Sequence, residues 1–203
     1  MMRFDLHVHT NRHSACSTMD PFALIERARA ELLHGIVITE HDYLWPDEEL
    51  AELRAAAPDL VILSGIEITG RGGDVLVYGV TNPFALPKGI DWPDLCAEVH
   101  RQGGVCVMAH PYRWGQPVDA ILEQKKPHFD GVELMSSNMD DDLRQKAAAL
   151  HARHPEWAGL GNSDGHYLDK VGMCHTLFEV DIRGIGDVVN AIRNRQTRAV
   201  ACR

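Results

Sequence analysis

The chain has 203 residues, of which 45% are hydrophobic and 24% are charged. This length suits one domain with a substantial buried core, so we expect a single domain over residues 1–203. The formal net charge of −9, without a Lys/Arg-rich stripe, argues against strong nucleic-acid binding.

Neither a membrane span nor a signal peptide is indicated. The sequence has no run of about 18 apolar residues, the length that a spanning helix needs. The segment from Met1 to His7 is not followed by the apolar stretch of a signal peptide. We therefore expect a cytoplasmic protein without a membrane partner, and the sequence leaves the oligomeric state open.

Apolar runs alternate with helical patterns along the chain, which is typical of β/α units. The first predicted strand runs from Phe4 to Val8, and the first helix is capped by Asp20, begins at Pro21 and ends near Gly35. The later predicted strands are 35–39, 60–63, 75–80, 105–109, 131–135, 159–161 and 176–180, and the later predicted helices are 47–57, 92–101, 118–124, 141–153 and 185–195. About seven such units predict an α/β barrel.

Side chains of the kinds that bind metal stand at the ends of six predicted strands. They are His7 and His9, then His41 with Asp42, then Glu67, His110 and Glu133, and finally Asp164 with His166. In a β/α barrel the C-terminal strand ends carry the active site. His7 and His9 are two residues apart, so both project from one face of a strand and can bind one ion.

One such residue alone is more often a hydrogen-bonded structural residue. The ordered set is a stronger signal, because an unpaired histidine or carboxylate is costly to bury. Polar residues at the same end of six consecutive units therefore indicate a metal centre.

Five motifs follow one another along nearly the whole chain: Asp5-Leu6-His7-Val8-His9-Thr10, Thr39-Glu40-His41-Asp42, Gly65-Ile66-Glu67, Ala109-His110-Pro111 and Ser163-Asp164-Gly165-His166. As a set, they resemble the PHP (polymerase and histidinol phosphatase) domain family. The resemblance implies a distorted (β/α)7 barrel with a multinuclear metal site. The expected cofactors are two or three divalent ions, Zn²⁺, Mn²⁺ or Fe²⁺.

The resemblance also implies a role for each ligand position. His7, His9, Glu67 and Asp164 are expected to hold one ion, Glu67 bridges to a second ion held by His110 and Glu133, and His41 and His166 approach a third. Many family members carry an Asp in the loop after the first motif, where this chain has Ala15. The third site therefore depends on His13 or water, unless His13 is simply a loop residue that lines the pocket.

The chemistry expected of this family is hydrolysis of a small phosphorylated substrate. Bound cations lower the pKa of a water molecule and polarise the phosphoryl group. If the third site is empty, His41 or His166 is a candidate general acid. Arg113 is well placed to donate a fork of hydrogen bonds to a phosphate, whereas a solvated surface charge is the plainer interpretation for Arg12 and Lys170. Asp42 and Asn138 are expected to orient ligands or substrate. Two alternatives stay open: an amidohydrolase-like enzyme acting on a C–N bond, and a noncatalytic domain that metal stabilises.

Overall fold

The computed structural model describes residues 1–201. Its strands are β1 (Met2–Val8), β2 (Gly35–Ile38), β3 (Val61–Ser64), β4 (Ile66–Gly70), β5 (Gly73–Tyr78), β6 (Val105–Met108), β7 (Gly131–Met135), β8 (Ala158–Gly161), β9 (His175–Phe178) and β10 (Thr197–Val200). Its helices are α1 (Pro21–Ala30), α2 (Asp47–Ala56), α3 (Trp92–Arg101), α4 (Val118–Lys125), α5 (Asp141–Arg153) and α6 (Ile185–Arg193), with a 3₁₀ turn at Pro83–Ala85. Each predicted strand and helix has a counterpart, and β4 and β10 were not predicted.

Within the described residues the strands form two mixed sheets, in the orders β10-β9-β1-β2-β3 and β4-β5-β6-β7-β8. The α/β class is confirmed, whereas the (β/α)7 barrel is not. Strands β3 and β4 are separated by Gly65 alone and lie in different sheets. Strand β5 pairs antiparallel with β4 and β6, and β9 pairs antiparallel with β1 and β10. These antiparallel pairs interrupt the regular series of parallel units that a closed barrel needs.

The two sheets enclose the central core between them. Phe4, Leu6, Leu76, Val107 and Leu160 are fully buried there. Helix α6 packs into this core at the end where β5 finishes and β6 begins, and Arg193 donates hydrogen bonds to the carbonyls of Gly103 and Gly104. The opposite end, where β1, β6 and β8 finish, remains free for polar side chains.

Helices cover the outer faces of both sheets. Helices α1 and α2 bury Leu24, Ile25 and Leu53 against the first sheet, and α3 buries Leu95 and Val99 against the second. Burial of this kind stabilises the fold by roughly 25 cal/mol per Å² of apolar surface removed from water. The strand backbone that carries the polar residues is therefore rigidly supported.

The first helix begins as its sequence predicts. Asp20 Oδ1 accepts hydrogen bonds from the backbone N–H groups of Phe22 and Ala23 at 2.9 and 3.2 Å, and Pro21 occupies the first turn. This cap fixes the point at which the loop after β1 ends. None of the helices formed by residues 1–201 combines the length and the apolar composition needed to cross a bilayer.

Candidate metal centre

Four buried side chains meet at the end of the molecule opposite α6. His7 lies in β1, His9 follows β1, Glu67 lies in β4 and Asp164 follows β8. Each offers one ligand atom, and the four atoms lie within 4.8 Å of one another. The structure thus brings together the four residues expected to hold the first ion.

The ligand atoms of this group lack hydrogen-bond partners. Nε2 of His7, Nε2 of His9, Oε2 of Glu67 and Oδ1 of Asp164 are all buried and make no hydrogen bond. An unpaired buried polar group costs about 1–3 kcal/mol, and more when it is charged. Two imidazole nitrogens and two carboxylate oxygens at this spacing fit a divalent cation, which would satisfy all four atoms together.

Glu67 is the residue shared between neighbouring groups. Its Oε2 lies 3.2 Å from His9 Nε2, 3.4 Å from His7 Nε2 and 2.9 Å from His41 Nδ1. Its Oε1 accepts a hydrogen bond from His110 Nε2 at 3.1 Å. The two oxygens of one carboxylate thus face different histidines, which is the arrangement that a bridging ligand requires.

A second group of potential ligands consists of Glu67, Asp74 and His110. Asp74 was not among the predicted site residues, since the prediction considered only C-terminal strand ends. Because β5 runs antiparallel to β4 and β6, its N-terminal end reaches the site instead. The sequence did not show that β5 runs antiparallel to its neighbours, and Asp74 was not predicted for that reason.

Glu133, the other expected ligand of the second ion, lies outside these groups. Its Oε1 accepts hydrogen bonds from His7 Nδ1 at 3.1 Å and from Asn162 Nδ2 at 2.8 Å. Its Oε2 accepts the backbone N–H of His110 at 2.8 Å. The geometry therefore gives fully buried Glu133 the task of orienting His7 and the His110 backbone.

His9, His41 and His166 form a third group, in which the His9 ring stacks on His41 and on His166 with centroid separations of 4.5 and 4.3 Å. His13 does not join it. The His13 Nε2 atom lies 2.8 Å from Glu49 Oε2, and the His13 ring stacks on Tyr43 at 4.0 Å. His13 therefore supports the loop rather than replacing the Asp absent at position 15.

The carboxylates and histidines strongly affect one another's protonation. Burial alone would lower the pKa of His7, but Asp164, Glu67 and Glu133 raise it well above its usual value. The same balance raises the pKa of His9, and although burial opposes the change, the histidines hold the pKa of Glu67 well below its usual range. Each shift favours the charged form, so positive histidines and the negative Glu67 carboxylate stabilise one another.

His166 differs from these histidines. Burial, and next the neighbouring His9, lower its pKa, and Asp164 only partly offsets them. Its Nδ1 donates a hydrogen bond to the Asp164 carbonyl at 3.1 Å. His166 is therefore held as a neutral imidazole, the form that can bind a metal ion.

Two of the candidate ligands adopt backbone conformations that are uncommon for residues with a side chain. The φ angles of His110 and Asp164 are 25° and 50°. Asp164 is also held by its side chain, because Arg113 Nη1 and Asn138 Nδ2 each donate to its Oδ2 at 2.7 Å. Strained backbone held by surrounding contacts is common at functional sites.

Asp5 joins the first strand to the loop that carries Asp164. Its fully buried carboxylate accepts hydrogen bonds from the backbone N–H groups of Ser163 at 2.9 Å and Gly172 at 3.0 Å. Burial raises the pKa of Asp5 to about 6. These contacts set the distance between the His7 strand and the loop. Asp5 is therefore a supporting residue of the first motif, a role that the spacing of the ligands did not predict.

An open cavity of about 400 Å³ lies over the candidate ligands. Its walls include two cationic side chains, Arg113 and Lys170, and two aromatic ones, Trp114 and Tyr167. Asn138 and Cys16 also line it. Arg12, in contrast, lies near Glu52 and over the Trp45 ring. The cavity therefore places positive charge beside the buried carboxylates, as an anionic substrate would require.

Comparisons with known proteins agree with this architecture. The PHP-associated family model matches residues 144–197. A two-domain Bacteroides vulgatus protein containing a predicted PHP-like metal-dependent phosphoesterase superposes with a TM-score of 0.76 at 19% identity, over 99% of this chain and 65% of that protein. This chain thus spans less than two thirds of that relative. PsfC from Pseudomonas syringae superposes with a TM-score of 0.72 at 21% identity, over 99% of this chain and 92% of that one.

A third structure carries a different name. It is an amidohydrolase from Chromobacterium violaceum, with bound sulfate and no metal, and it superposes with a TM-score of 0.64 at 18% identity over 93% of this chain and 96% of that one. No curated protein matches the sequence. The resemblance to PHP-like proteins is confirmed, by the family model over its matched segment and by the shared α/β fold over nearly the whole chain.

Proposed function

We propose that this chain is a metal-dependent phosphoesterase acting on a small phosphorylated substrate. The observation that carries the proposal is the convergence of four buried ligand atoms without a hydrogen-bond partner, on His7, His9, Glu67 and Asp164, beneath a cavity with cationic walls. A purely structural cluster would satisfy its own polar atoms with hydrogen bonds. A divalent cation would satisfy these four atoms together.

Glu67 is the proposed bridge to a second ion, because its two oxygens face different histidines. His41 and His166 supply nitrogen atoms for a third position beside His9. Zn²⁺, Mn²⁺ and Fe²⁺ all accept such mixed imidazole and carboxylate sets. When bound, these cations would lower the pKa of water and withdraw charge from a phosphoryl group.

Arg113 is the proposed phosphate-orienting residue. One of its N–H groups bonds to Asp164 Oδ2, and its guanidinium lies over the Trp114 ring with 4.5 Å between Cζ and the ring centroid. The other N–H groups can donate to phosphate oxygens in a fork geometry. Lys170 lies on the same cavity wall and adds a second positive charge.

If the third position holds no ion, protonation of the leaving group falls to His41 or His166 in this proposal. The His41 side chain is 35% exposed, against 18% for His166. A general acid must start protonated, and the lowered pKa of His166 works against that role. His41 is therefore the better candidate, with its Nδ1 positioned by Glu67 at 2.9 Å.

The alternative reaction is hydrolysis of a C–N bond, since one structural relative is named an amidohydrolase. Arg113 and Lys170 in this cavity favour the phosphoester, because both side chains can pair with an anionic substrate.

Metal reconstitution followed by turnover tests the proposal. The chain is stripped with a chelator, reloaded separately with Mn²⁺, Zn²⁺ and Fe²⁺, and assayed on phosphomonoesters, phosphodiesters and amides. We expect metal-dependent hydrolysis of a phosphoester and competitive inhibition by inorganic phosphate, both weakened by His9→Ala. Turnover of amides alone would favour the amidohydrolase. Metal-dependent stability without any turnover would instead identify a noncatalytic domain.

A further inference from the structure

We infer that Asp74 is a metal ligand of this centre and that, with Glu67 and His110, it forms the second ion site in place of Glu133. This inference rests on the metal centre of the proposed function. It concerns a residue on an antiparallel strand, away from the strand ends where ligands were expected.

The sheet register brings Asp74 to Glu67. Strand β5 is hydrogen-bonded to β4 on one side and to β6 on the other. Glu67 pairs with Leu76, so Asp74, two residues earlier on β5, is its diagonal neighbour on the same face. The carboxylates of Glu67 and Asp74 thus share one face at the site end of the sheet.

Strand β6, on the other side of β5, brings His110 close to Asp74. The Asp74 carbonyl accepts the backbone N–H of Ala109, the residue before His110, at 3.1 Å. Ligand atoms of Glu67, Asp74 and His110 consequently lie within 4.8 Å of one another. His110 Nε2 donates to Glu67, whereas the buried His110 Nδ1 has no hydrogen-bond partner.

The Asp74 side chain is positioned but still accessible. Thr69 lies directly opposite Asp74 in the ladder, and its side chain lowers the pKa of the Asp74 carboxyl, which burial and Glu67 raise. Asp74 also lines the cavity, so an ion can reach it. Two carboxylates so close together repel each other unless a cation lies between them.

Glu133 has less capacity for the same part, because three hydrogen bonds already use most of its four lone-pair positions. Both of its oxygens accept hydrogen bonds, from His7 and Asn162 on one side and from the His110 backbone on the other. Releasing them would leave buried donors unpaired. Asp74 needs no such rearrangement.

The test compares Asp74→Asn with Glu133→Gln in the full chain, using Mn²⁺ alone as the probe. Ion stoichiometry and affinity are measured by titration calorimetry and elemental analysis of chelator-stripped protein. We expect Asp74→Asn to lose one ion per chain, or to bind it at least about tenfold more weakly, since outer-shell changes alone cost that much. Glu133→Gln should keep the number of ions and weaken the site that contains His7.

Electron paramagnetic resonance of the Mn²⁺-loaded chain gives a second measurement. Two ions bridged by Glu67 should give an exchange-coupled spectrum in the wild type and an isolated-ion spectrum in Asp74→Asn. Thermal unfolding of the chelated proteins checks folding, and Asp74→Asn should be no less stable there because it removes a repulsive charge. If Asp74→Asn misfolds, Asp74→Ala replaces it in the same measurements.

The outcomes separate this inference from the proposed function. An Asp74→Asn chain that keeps its full set of ions and its coupled spectrum overturns the assignment of Asp74, as does a wild-type chain that binds a single ion. Loss of the second ion in Asp74→Asn, with no phosphoester hydrolysed by the loaded wild type, supports Asp74 as a ligand and rejects the phosphoesterase.

Discussion

His7 Nδ1 donates a hydrogen bond to Glu133 Oε1 at 3.1 Å, while His7 Nε2 faces Glu67 and Asp164 at 3.4 and 3.3 Å. One ring nitrogen is thus fixed by a buried carboxylate and the other is directed to the candidate ligands. A second carboxylate behind a histidine sets its tautomer and makes it a better ligand.

Glu133→Gln is therefore expected to weaken metal binding although Glu133 is not placed as a ligand. The amide keeps the shape of the side chain but removes the charge that supports His7, so affinity should fall by roughly 10- to 100-fold. Titration calorimetry on stripped protein measures the change. Unaltered affinity would mean that Glu133 has no influence on the first ion.

Metal should stabilise the fold as well as enable turnover. A ligand that binds only the native state at 100 times its Kd adds about 2.7 kcal/mol, which corresponds to a Tm rise of roughly 5–10 °C in a chain of this size. Differential scanning calorimetry with and without Mn²⁺ measures the rise. His9→Ala is the matched control, because it removes a ligand and should shrink the shift; an identical shift in that variant would place the stabilising ion elsewhere.

Much of this architecture could be predicted from the sequence. Hydrophobic periodicity located the strands and helices, and the parallel strands β1, β6 and β8 carry His7, His110 and Asp164 at or just beyond their C-terminal ends. Their side chains meet because parallel strands bring the same end of each strand to one side of the fold. Residue type and spacing are enough for that part of the site.

The remainder depended on strand direction and on hydrogen-bond partners. An apolar run indicates a strand but not whether it pairs parallel or antiparallel, so Asp74 at the start of β5 was not among the predicted candidates. Glu133 has the residue type and position of a ligand, and in the fold three nearby N–H groups also occupy its oxygens. Such occupancy emerges only when distant segments have packed together.

Arg113 is expected to contribute to phosphate binding through its fork of N–H donors. Arg113→Ala should lower kcat/KM by about 10²–10³, the scale of losing one donor to a developing charge, and should weaken inhibition by inorganic phosphate. Arg113→Lys should recover only part of the loss because an ammonium cannot fork.

Metal content must be measured beside the Arg113 kinetics, since Arg113 also holds Asp164. The exposed Arg183 is a suitable control for a simple change of charge. If Arg113→Ala hydrolyses substrate as fast as Arg183→Ala does, Arg113 is a surface residue.

Trp114 should affect substrate affinity with little effect on stability. It is 65% exposed at the cavity wall and contacts Arg113, so Trp114→Ala should change the free energy of unfolding by no more than about 1 kcal/mol. A ring stacked on Trp114 gains about 0.5–1.5 kcal/mol, so KM for an aryl phosphate should rise by ~2- to 10-fold and KM for an alkyl phosphate should not. Phe84→Ala, with a ring 93% exposed and outside the cavity, is the control and should alter neither value.

His13 and His41 provide the last comparison, since both are histidines near the loop after β1 and only His41 lies with the candidate ligands. His13→Ala removes a half-buried contact with Glu49 and a stacked ring from Tyr43, so it should cost about 1 kcal/mol of stability and leave metal content unchanged. His41→Ala removes a nitrogen 2.9 Å from Glu67 Oε2 and a member of the third group, so it should lower metal content. Elemental analysis of both variants, purified side by side without chelator, decides the matter. Loss of metal in His13→Ala would show that the loop moves on metal binding to bring His13 to the ion, contrary to the position that this structure gives it.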